Sequence, residues 1–190
     1  MDESIGAVFE LLEQQGRLDD TLVIFFSDNG GSGGALNAPL RGHKSQTWEG
    51  GIRVPFLARW PGHIPAGKVT GEFLTSLEVF PTLVKVAGGE MPSGVVYDGF
   101  DMLPVLEGKA KSQREEMAWQ RRDQRGLRYR NWKWVEQPIG GGLFDLSEDI
   151  GEQHDLSKEL PDTLNMMQQR FQAWLARMEA AEPRGPFRDY

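Results

Sequence analysis

The most constraining feature of the sequence is an apolar run, TLVIFF at residues 21–26, that leads directly into SDNGG at residues 27–31. A short continuous run of β-branched and aromatic residues is typical of a strand buried on both faces, as in a parallel sheet. The preceding residues 5–12 carry apolar side chains at helical spacing, and Gly16 follows as a helix stop. Helix, turn and buried strand together predict part of an α/β fold.

Asp28 and Asn29 come directly after this predicted strand, where ligand sites occur in α/β sheets. A carboxylate next to an amide offers two oxygen ligands of the kind that hard divalent cations prefer. The same residue types are also common turn formers, so an ordinary turn is the alternative interpretation. Lys44, further along the same glycine-rich stretch, is a compact positive charge suited to an anionic oxygen, or else an ordinary exposed lysine.

Residues 54–89 continue the α/β pattern. VPFLARW at residues 54–60 predicts a second apolar strand, and residues 75–89 predict a helix with Ser76 as its cap. The side chains expected to face the core from this helix are Phe80, Leu83, Val84 and Ala87.

The pattern changes near residue 112. Short aromatic-rich segments separated by turn residues predict an antiparallel sheet of about four strands. After Pro161, apolar residues recur at three- and four-residue steps and predict a helix that packs on this sheet. These residues are Leu164, Met167, Phe171, Trp174 and Met178. We therefore expect two domains, at residues 1–111 and 112–190.

Composition excludes several classes of protein. The net charge of −7 argues against a nucleic-acid partner, because phosphate contacts need clustered basic residues. The absence of cysteine excludes disulfides, thiolate chemistry and cysteine-type zinc sites. No run approaches the roughly 18 apolar residues of a membrane span, and the acidic start of this chain is unlike a signal peptide.

One basic cluster, interleaved with aromatic residues, is predicted to be the solvated face of strands rather than a binding groove. Its members are Arg121, Arg122, Arg125, Arg128, Arg130 and Lys133.

Six ordered segments together resemble the C-terminal part of a type I sulfatase, of the arylsulfatase family in the alkaline-phosphatase-like superfamily. They are TLVIFFSDNGG, GHKSQTWEGGIRVP, WPGHI, SLEVFPTLVKVAG, DGFDMLPVLEG and LFDLSEDIGEQHDLS. The resemblance implies an α/β fold: a partial alkaline-phosphatase-like sandwich, followed by a small four-stranded antiparallel sheet with a C-terminal helix. One departure is Glu78, where the family usually has aspartate.

The resemblance also implies a sulfuric ester hydrolase. Asp28 and Asn29 would be two ligands of a Ca²⁺ (or Mg²⁺) ion, Asp28 and Lys44 would be catalytic, and Lys44 would contact the sulfate ester. The loop residues Glu49, Gly50, Gly51 and Arg53 match the family's loop architecture and not a catalytic role.

The family's nucleophile is a formylglycine made from the Cys or Ser of a C/S-x-P-x-R motif, which the resemblance places in a missing N-terminal part. NAPLR at residues 37–41 fits this frame only in part, because Asn37 cannot be oxidised to formylglycine. We therefore expect this chain alone to be inactive and to need the N-terminal half of the same protein as its partner, with a sulfate ester as substrate.

Two other functions stay open from the sequence. One is a metal-dependent phosphohydrolase or phosphonate hydrolase of the same superfamily, and the other is a non-catalytic binding module. A secreted, periplasmic or lysosomal location is implied by the family alone.

Overall fold

A computed structural model of the chain describes residues 1–181. They form two compact units that interleave along the sequence. The first unit joins Met1–Asp28 to Pro55–Arg114, and the second joins Asn29–Val54 to the described residues from Glu115 to 181. The division into domains at residues 1–111 and 112–190 stays a prediction.

In chain order the elements are α1 (Asp2–Gln14), β1 (Val23–Phe26), α2 (Glu49–Ile52), β2 (Phe56–Arg59), α3 (Val79–Val86), α4 (Leu103–Leu106), β3 (Glu116–Arg121), β4 (Gln124–Tyr129), β5 (Trp132–Glu136), β6 (Gly141–Asp145) and α5 (Pro161–Ala180). A 3₁₀ turn, Ser76–Glu78, leads into α3. No helix within residues 1–181 has both the length and the apolar character needed to cross a membrane.

In the first unit, β1 forms at the predicted place but pairs differently. It runs antiparallel to β2, with Val23 opposite Arg59 and Phe26 opposite Phe56. The expectation of a parallel neighbour is wrong for this pair, because an apolar run indicates burial and not the direction of the neighbouring strand. All four residues of β1 are half-buried, so burial on both faces is also not met within the described residues.

The helix predicted over residues 75–89 is present as the 3₁₀ turn and α3, but its cap is Thr75 and not Ser76. The Thr75 hydroxyl accepts a hydrogen bond from the N–H of Leu77, and the Glu78 carboxylate accepts one from the N–H of Thr75 at 2.5 Å. This reciprocal arrangement is a capping box, which satisfies backbone donors that the first turn would otherwise leave without a partner.

The face of α3 that this chain covers is not the predicted one. Pro81 and Thr82 are buried, whereas Phe80 and Leu83 are 52% and 45% exposed. Ala87 is exposed as well. The prediction that these three apolar residues face the core is therefore wrong for the described chain, because apolar spacing identifies the faces of a helix but not what covers each face.

In the second unit, the predicted antiparallel sheet is present with the order β3-β4-β5-β6. The predicted helix is α5, and it covers one face of the sheet. Trp134 of β5 lies edge-on to Phe171 of α5, with ring centroids 5.3 Å apart. The buried residues of this face are Ala118, Leu127, Trp134, Leu143, Met167 and Phe171.

The other face of the same sheet is covered by the segment Asn29–Val54. Trp48 packs edge-on against Phe144, with ring centroids 5.6 Å apart, and the two residues form one buried cluster with Val135. A Cβ added to Gly126 of β4 would lie only 3.0 Å from the Cβ of Thr47, so the segment lies directly on the sheet there. The segment is thus fixed to a rigid support.

Candidate functional site

Asp28 and Asn29 follow β1 after a single residue, Ser27, at the predicted place. Asp28 is exposed and Asn29 is half-buried. Within residues 1–181, no group of three or more His, Asp or Glu side chains could hold a metal ion. One carboxylate and one amide fall short of the six to eight oxygens that Ca²⁺ takes, so these two residues fit part of a calcium site and not a complete one.

Lys44 lies in the segment that begins with Asn29. Its backbone N–H donates to the carbonyl of Gly31 at 3.0 Å, and the N–H of Gly30 donates to the carbonyl of Gly51 at 2.9 Å. These bonds bring the backbone of Lys44 next to the glycines that follow Asn29. The Lys44 side chain is exposed, so its positive charge is available to an anionic ligand.

Asn37 has a structural function in this segment. Its side-chain amide donates to the carbonyls of Gly31 and Gly42, each at 3.0 Å, and its carbonyl oxygen accepts from the N–H of Gly31 at 3.2 Å. One side chain therefore joins the two ends of the stretch between residues 31 and 42. The residue that stands in the partial C/S-x-P-x-R frame thus organises the loop that precedes Lys44.

Three glycines let backbone segments approach too closely for any side chain. A Cβ at Gly30 would lie 1.8 Å from the carbonyl oxygen of Gly50, and a Cβ at Gly51 would lie 2.2 Å from that of Gln46. A Cβ at Gly50 would be 2.5 Å from the carbonyl oxygens of Arg41 and Gly42. This packing supports the interpretation of these residues as loop architecture.

A cluster of buried charges lies beneath the same segment. Lys133 Nζ is 2.8 Å from Glu49 Oε1 and 3.3 Å from Glu152 Oε1. The side chains of Lys133 and Glu152 are 0% exposed and that of Glu49 is 3% exposed. Arg53 Nε adds a fourth charge, 2.6 Å from Glu49 Oε2. We call Lys133, Glu49 and Glu152 the buried triad.

The position of Lys133 corrects a prediction. The solvated face expected of the basic cluster holds for Arg121, Arg122 and Arg130, which are exposed, but it is wrong for Lys133. Lys133 stands opposite Phe144 in the sheet, on the face that the segment Asn29–Val54 covers. A charge can be buried there because two carboxylates pair with it.

The two carboxyl groups of the buried triad have different acidities. Burial raises the pKa of Glu49, but the positive charges of Lys133 and Arg53 outweigh that effect and hold its pKa below the usual value. Burial raises the pKa of Glu152 above its usual value, and attraction to Lys133 only partly offsets this. Glu49 is therefore the main ionic partner of Lys133.

Sequence reasoning missed this triad as a unit. Glu49 and Lys133 are 84 residues apart, and no local pattern links them. The one available signal was the alternation WKWVE, which places Lys133 on the opposite face of β5 from its two tryptophans.

Residues 1–89 match the family model described as Sulfatase. The chain is 32% identical over 224 residues to Arylsulfatase A of Bos taurus, which covers 98% of this chain and 44% of that protein. It is 39% identical over 126 residues to Steryl-sulfatase of Mus musculus, covering 61% of this chain and 20% of that protein.

Solved structures give the same assignment. The crystal structure of Ps i-CgsB in complex with k-i-k-neocarrahexaose matches 91% of this chain and 40% of that chain, with a TM-score of 0.83 and 32% identity. The crystal structure of PsFucS1 sulfatase from Pseudoalteromonas sp. matches 94% and 41%, with a TM-score of 0.78 and 28% identity. The chain belongs to the sulfatase family.

These similarities confirm the expected fold class, an alkaline-phosphatase-like α/β fold with a four-stranded antiparallel sheet and a C-terminal helix. The chain spans less than half the length of the relatives it matches, which is consistent with the C-terminal part of a sulfatase.

Proposed function

We propose that this chain is the C-terminal portion of an arylsulfatase-like sulfuric ester hydrolase, which supplies metal ligands and a sulfate-binding lysine. The observation that carries the proposal is the hydrogen bond from the Lys44 N–H to the Gly31 carbonyl. It joins the candidate sulfate-binding residue to the glycines that directly follow the candidate metal ligands Asp28 and Asn29. The exposed Lys44 side chain at this point supports a role in binding an anion.

Each candidate residue has one role in this proposal. Asp28 and Asn29 would hold a divalent cation, Ca²⁺ or Mg²⁺, through side-chain oxygens, with further ligands from elsewhere in the protein. A bound cation at this place supplies Lewis-acid stabilisation of negative charge. Lys44 would bind the sulfate ester and neutralise charge that develops on its leaving oxygen. Asp28 would also contact the nucleophile.

The covalent nucleophile would come from outside this chain. Residues 1–190 contain no cysteine, and Asn37 in the NAPLR stretch cannot become a formylglycine. We infer that the N-terminal half of the same protein contributes the formylglycine, so that the chain by itself binds metal weakly and catalyses no hydrolysis.

The surface of the first unit supports a larger protein over a self-sufficient binding module. Residues of β1 are half-buried, and large apolar side chains are exposed on three elements of the first unit. They are Val8 and Leu11 of α1, Leu57 of β2, and Phe80 and Leu83 of α3. Apolar surface of this extent usually marks an interface with another part of a protein.

The test is a comparison of aryl sulfate and aryl phosphate hydrolysis by the full protein that contains this chain. We expect preference for the sulfate ester, and a loss of about 100- to 1,000-fold in kcat for Lys44→Ala, as for other groups that stabilise developing charge. Lys85→Ala, an exposed lysine of α3, is the matched control and should retain activity. A preference for phosphate, or full activity in Lys44→Ala, would contradict the proposal.

A further inference from the structure

We propose that Lys133 is a positioning residue, which sets the place of the Lys44 ammonium group through the buried triad. This inference rests on the proposed function, because Lys44 must act on the substrate for its position to matter. Lys133 itself is fully buried and would not touch the substrate.

Lys133 joins the segment that carries Lys44 to the sheet. Lys133 belongs to β5, an inner strand whose neighbours are β4 and β6. Glu49 is the first residue of α2, within the segment that carries Lys44. The 2.8 Å ion pair between them therefore connects an inner strand of the sheet to the segment that carries Lys44.

The loop is held on both sides of Lys44. Glu152 accepts a hydrogen bond from the N–H of Glu49 at 2.7 Å through its carboxylate. Its backbone carbonyl accepts one from the Arg41 guanidinium at 2.8 Å. Arg41 precedes Lys44 and Glu49 follows it, so one buried residue anchors both flanks of the turn. The Arg41 guanidinium also lies 3.9 Å over the Trp48 ring.

Few residues separate these anchors from Lys44. The N–H of Gly50 donates to the carbonyl of Arg41 at 2.7 Å, which closes the loop at its base. The N–H of Gln46 donates to the carbonyl of His43 at 3.1 Å, and the Gln46 side chain accepts from the N–H of His43. Lys44 lies inside this short closed turn, so displacement of the base would displace Lys44.

The charges of the buried triad act on geometry more than on stability. A buried ion pair adds little net stability compared with well-packed apolar residues, because desolvation offsets most of the attraction. Its benefit is geometric, since a lysine with two carboxylate partners allows fewer arrangements than apolar contacts do. The buried triad lies beneath the loop that carries Lys44. The restriction therefore fixes the backbone from which the Lys44 side chain extends.

The test uses Lys133→Met in the full protein, with Met167→Ala as the matched control. Met167 is also fully buried, but it lies in the cluster on the α5 face of the same sheet. Both variants should be destabilised, so stability alone does not distinguish them. Hydrogen exchange of the amides of Lys44, Gly50 and Gly51 should accelerate more than exchange of the sheet amides in Lys133→Met. In Met167→Ala it should not.

Kinetics with aryl sulfates of graded leaving-group pKa provide the decisive measurement. We expect Lys133→Met to lower kcat/KM by about 10- to 100-fold, the range typical of groups that orient catalytic residues. The loss should be largest for poor leaving groups, because Lys44 neutralises charge on the leaving oxygen. Lys44→Ala should show the same trend more strongly, and Met167→Ala should show the wild-type trend.

The outcomes separate the two hypotheses. If Lys44→Ala changes the leaving-group dependence and Lys133→Met does not, the positioning role is wrong and the proposed function stands. If Lys44→Ala has no effect, the proposed function itself fails. Should Lys133→Met not fold, Glu49→Gln serves in its place, because it removes the main ionic partner of Lys133 with little change in side-chain size. Wild-type exchange and kinetics in that variant would overturn the inference.

Discussion

Lys133 Nζ lies 2.8 Å from Glu49 Oε1, although 84 residues separate the two in the sequence. The contact joins an inner strand of the C-terminal sheet to the segment that carries Lys44. Sheet and segment therefore form one structural unit, and substitutions at this contact should report on both.

The two carboxyl groups of the buried triad should give pH dependences of opposite sign. The pKa of Glu49 is below its usual value of 4.5 in the folded protein, because Lys133 and Arg53 outweigh the effect of burial. Glu49 therefore stabilises the fold above pH 4.5, and this contribution is lost as the pH falls through its lowered pKa. Burial raises the pKa of Glu152, so its ionisation weakens the fold as the pH rises above 4.5.

Urea unfolding of the wild type, Glu49→Gln and Glu152→Gln at several pH values checks this prediction. The stability deficit of Glu49→Gln should grow as the pH rises from acid toward neutral, while Glu152→Gln should gain stability relative to the wild type over the same interval. Glu148→Gln, at an exposed position, is the control. Changes of the same sign in both triad variants would contradict the assigned acidities.

Glu78 should be critical for the stability of the first unit. Its side chain is 0% exposed, pairs with Arg114, and accepts hydrogen bonds from the N–H and hydroxyl of Thr75 at 2.5 and 2.9 Å. Glu78→Ala should lower the free energy of unfolding by about 3–5 kcal/mol, because it leaves the Arg114 charge buried without its carboxylate. Urea unfolding measures the loss.

A second variant at this position, Glu78→Asp, introduces the aspartate that the family usually has there. Glu78→Asp retains the charge but shortens the side chain by one methylene. It should therefore lose its contacts either with Arg114 or with Thr75, and its free energy of unfolding should lie between those of Glu78→Ala and the wild type. Glu90→Ala, at an exposed position, should change the stability by less than about 0.5 kcal/mol. Equal stability of Glu78→Ala and the wild type would show that the pair with Arg114 contributes nothing.

Asn37 should control the order of the loop before Lys44. Asn37→Ala removes three hydrogen bonds to the backbone of Gly31 and Gly42. Each bond contributes about 0.5–1.5 kcal/mol, so hydrogen exchange of the Gly31 amide should accelerate by at least tenfold. Ser32→Ala, at an exposed position in the same loop, is the control. Unchanged exchange in Asn37→Ala would exclude this structural role.

The sequence predicted those elements whose partners are close in the chain. The helix α5 and the strands β3–β6 follow from local periodicity, and the predicted apolar stripe of α5 includes Met167 and Phe171, both fully buried against the sheet. Hairpin connections make each strand the neighbour of the next, so their pairing needed no distant information.

The predictions that failed depend on contacts between distant residues. Lys133 has the alternating pattern of a solvated lysine, and only the folded chain brings Glu49 and Glu152 to it. Phe80 has the spacing of a core residue, yet that spacing does not specify what covers it. The metal and sulfate roles of Asp28, Asn29 and Lys44 stay predictions, because residues 1–181 show no complete set of metal ligands around them.

Gly51 provides the strictest test of the loop geometry. A Cβ there would lie 2.2 Å from the carbonyl oxygen of Gln46 and 2.6 Å from that of His43, and backbone atoms cannot rotate away as a side chain would. Gly51→Ala should therefore shift the turn that contains Lys44. In the full protein, kcat/KM for an aryl sulfate should fall by about 100-fold, the effect expected from misplacing a catalytic group by about 1 Å. Gly71→Ala, where an added Cβ meets open space, should retain activity. Wild-type kinetics in Gly51→Ala would mean that catalysis tolerates movement of this turn, and Lys44 could then not be held in the way the structure implies.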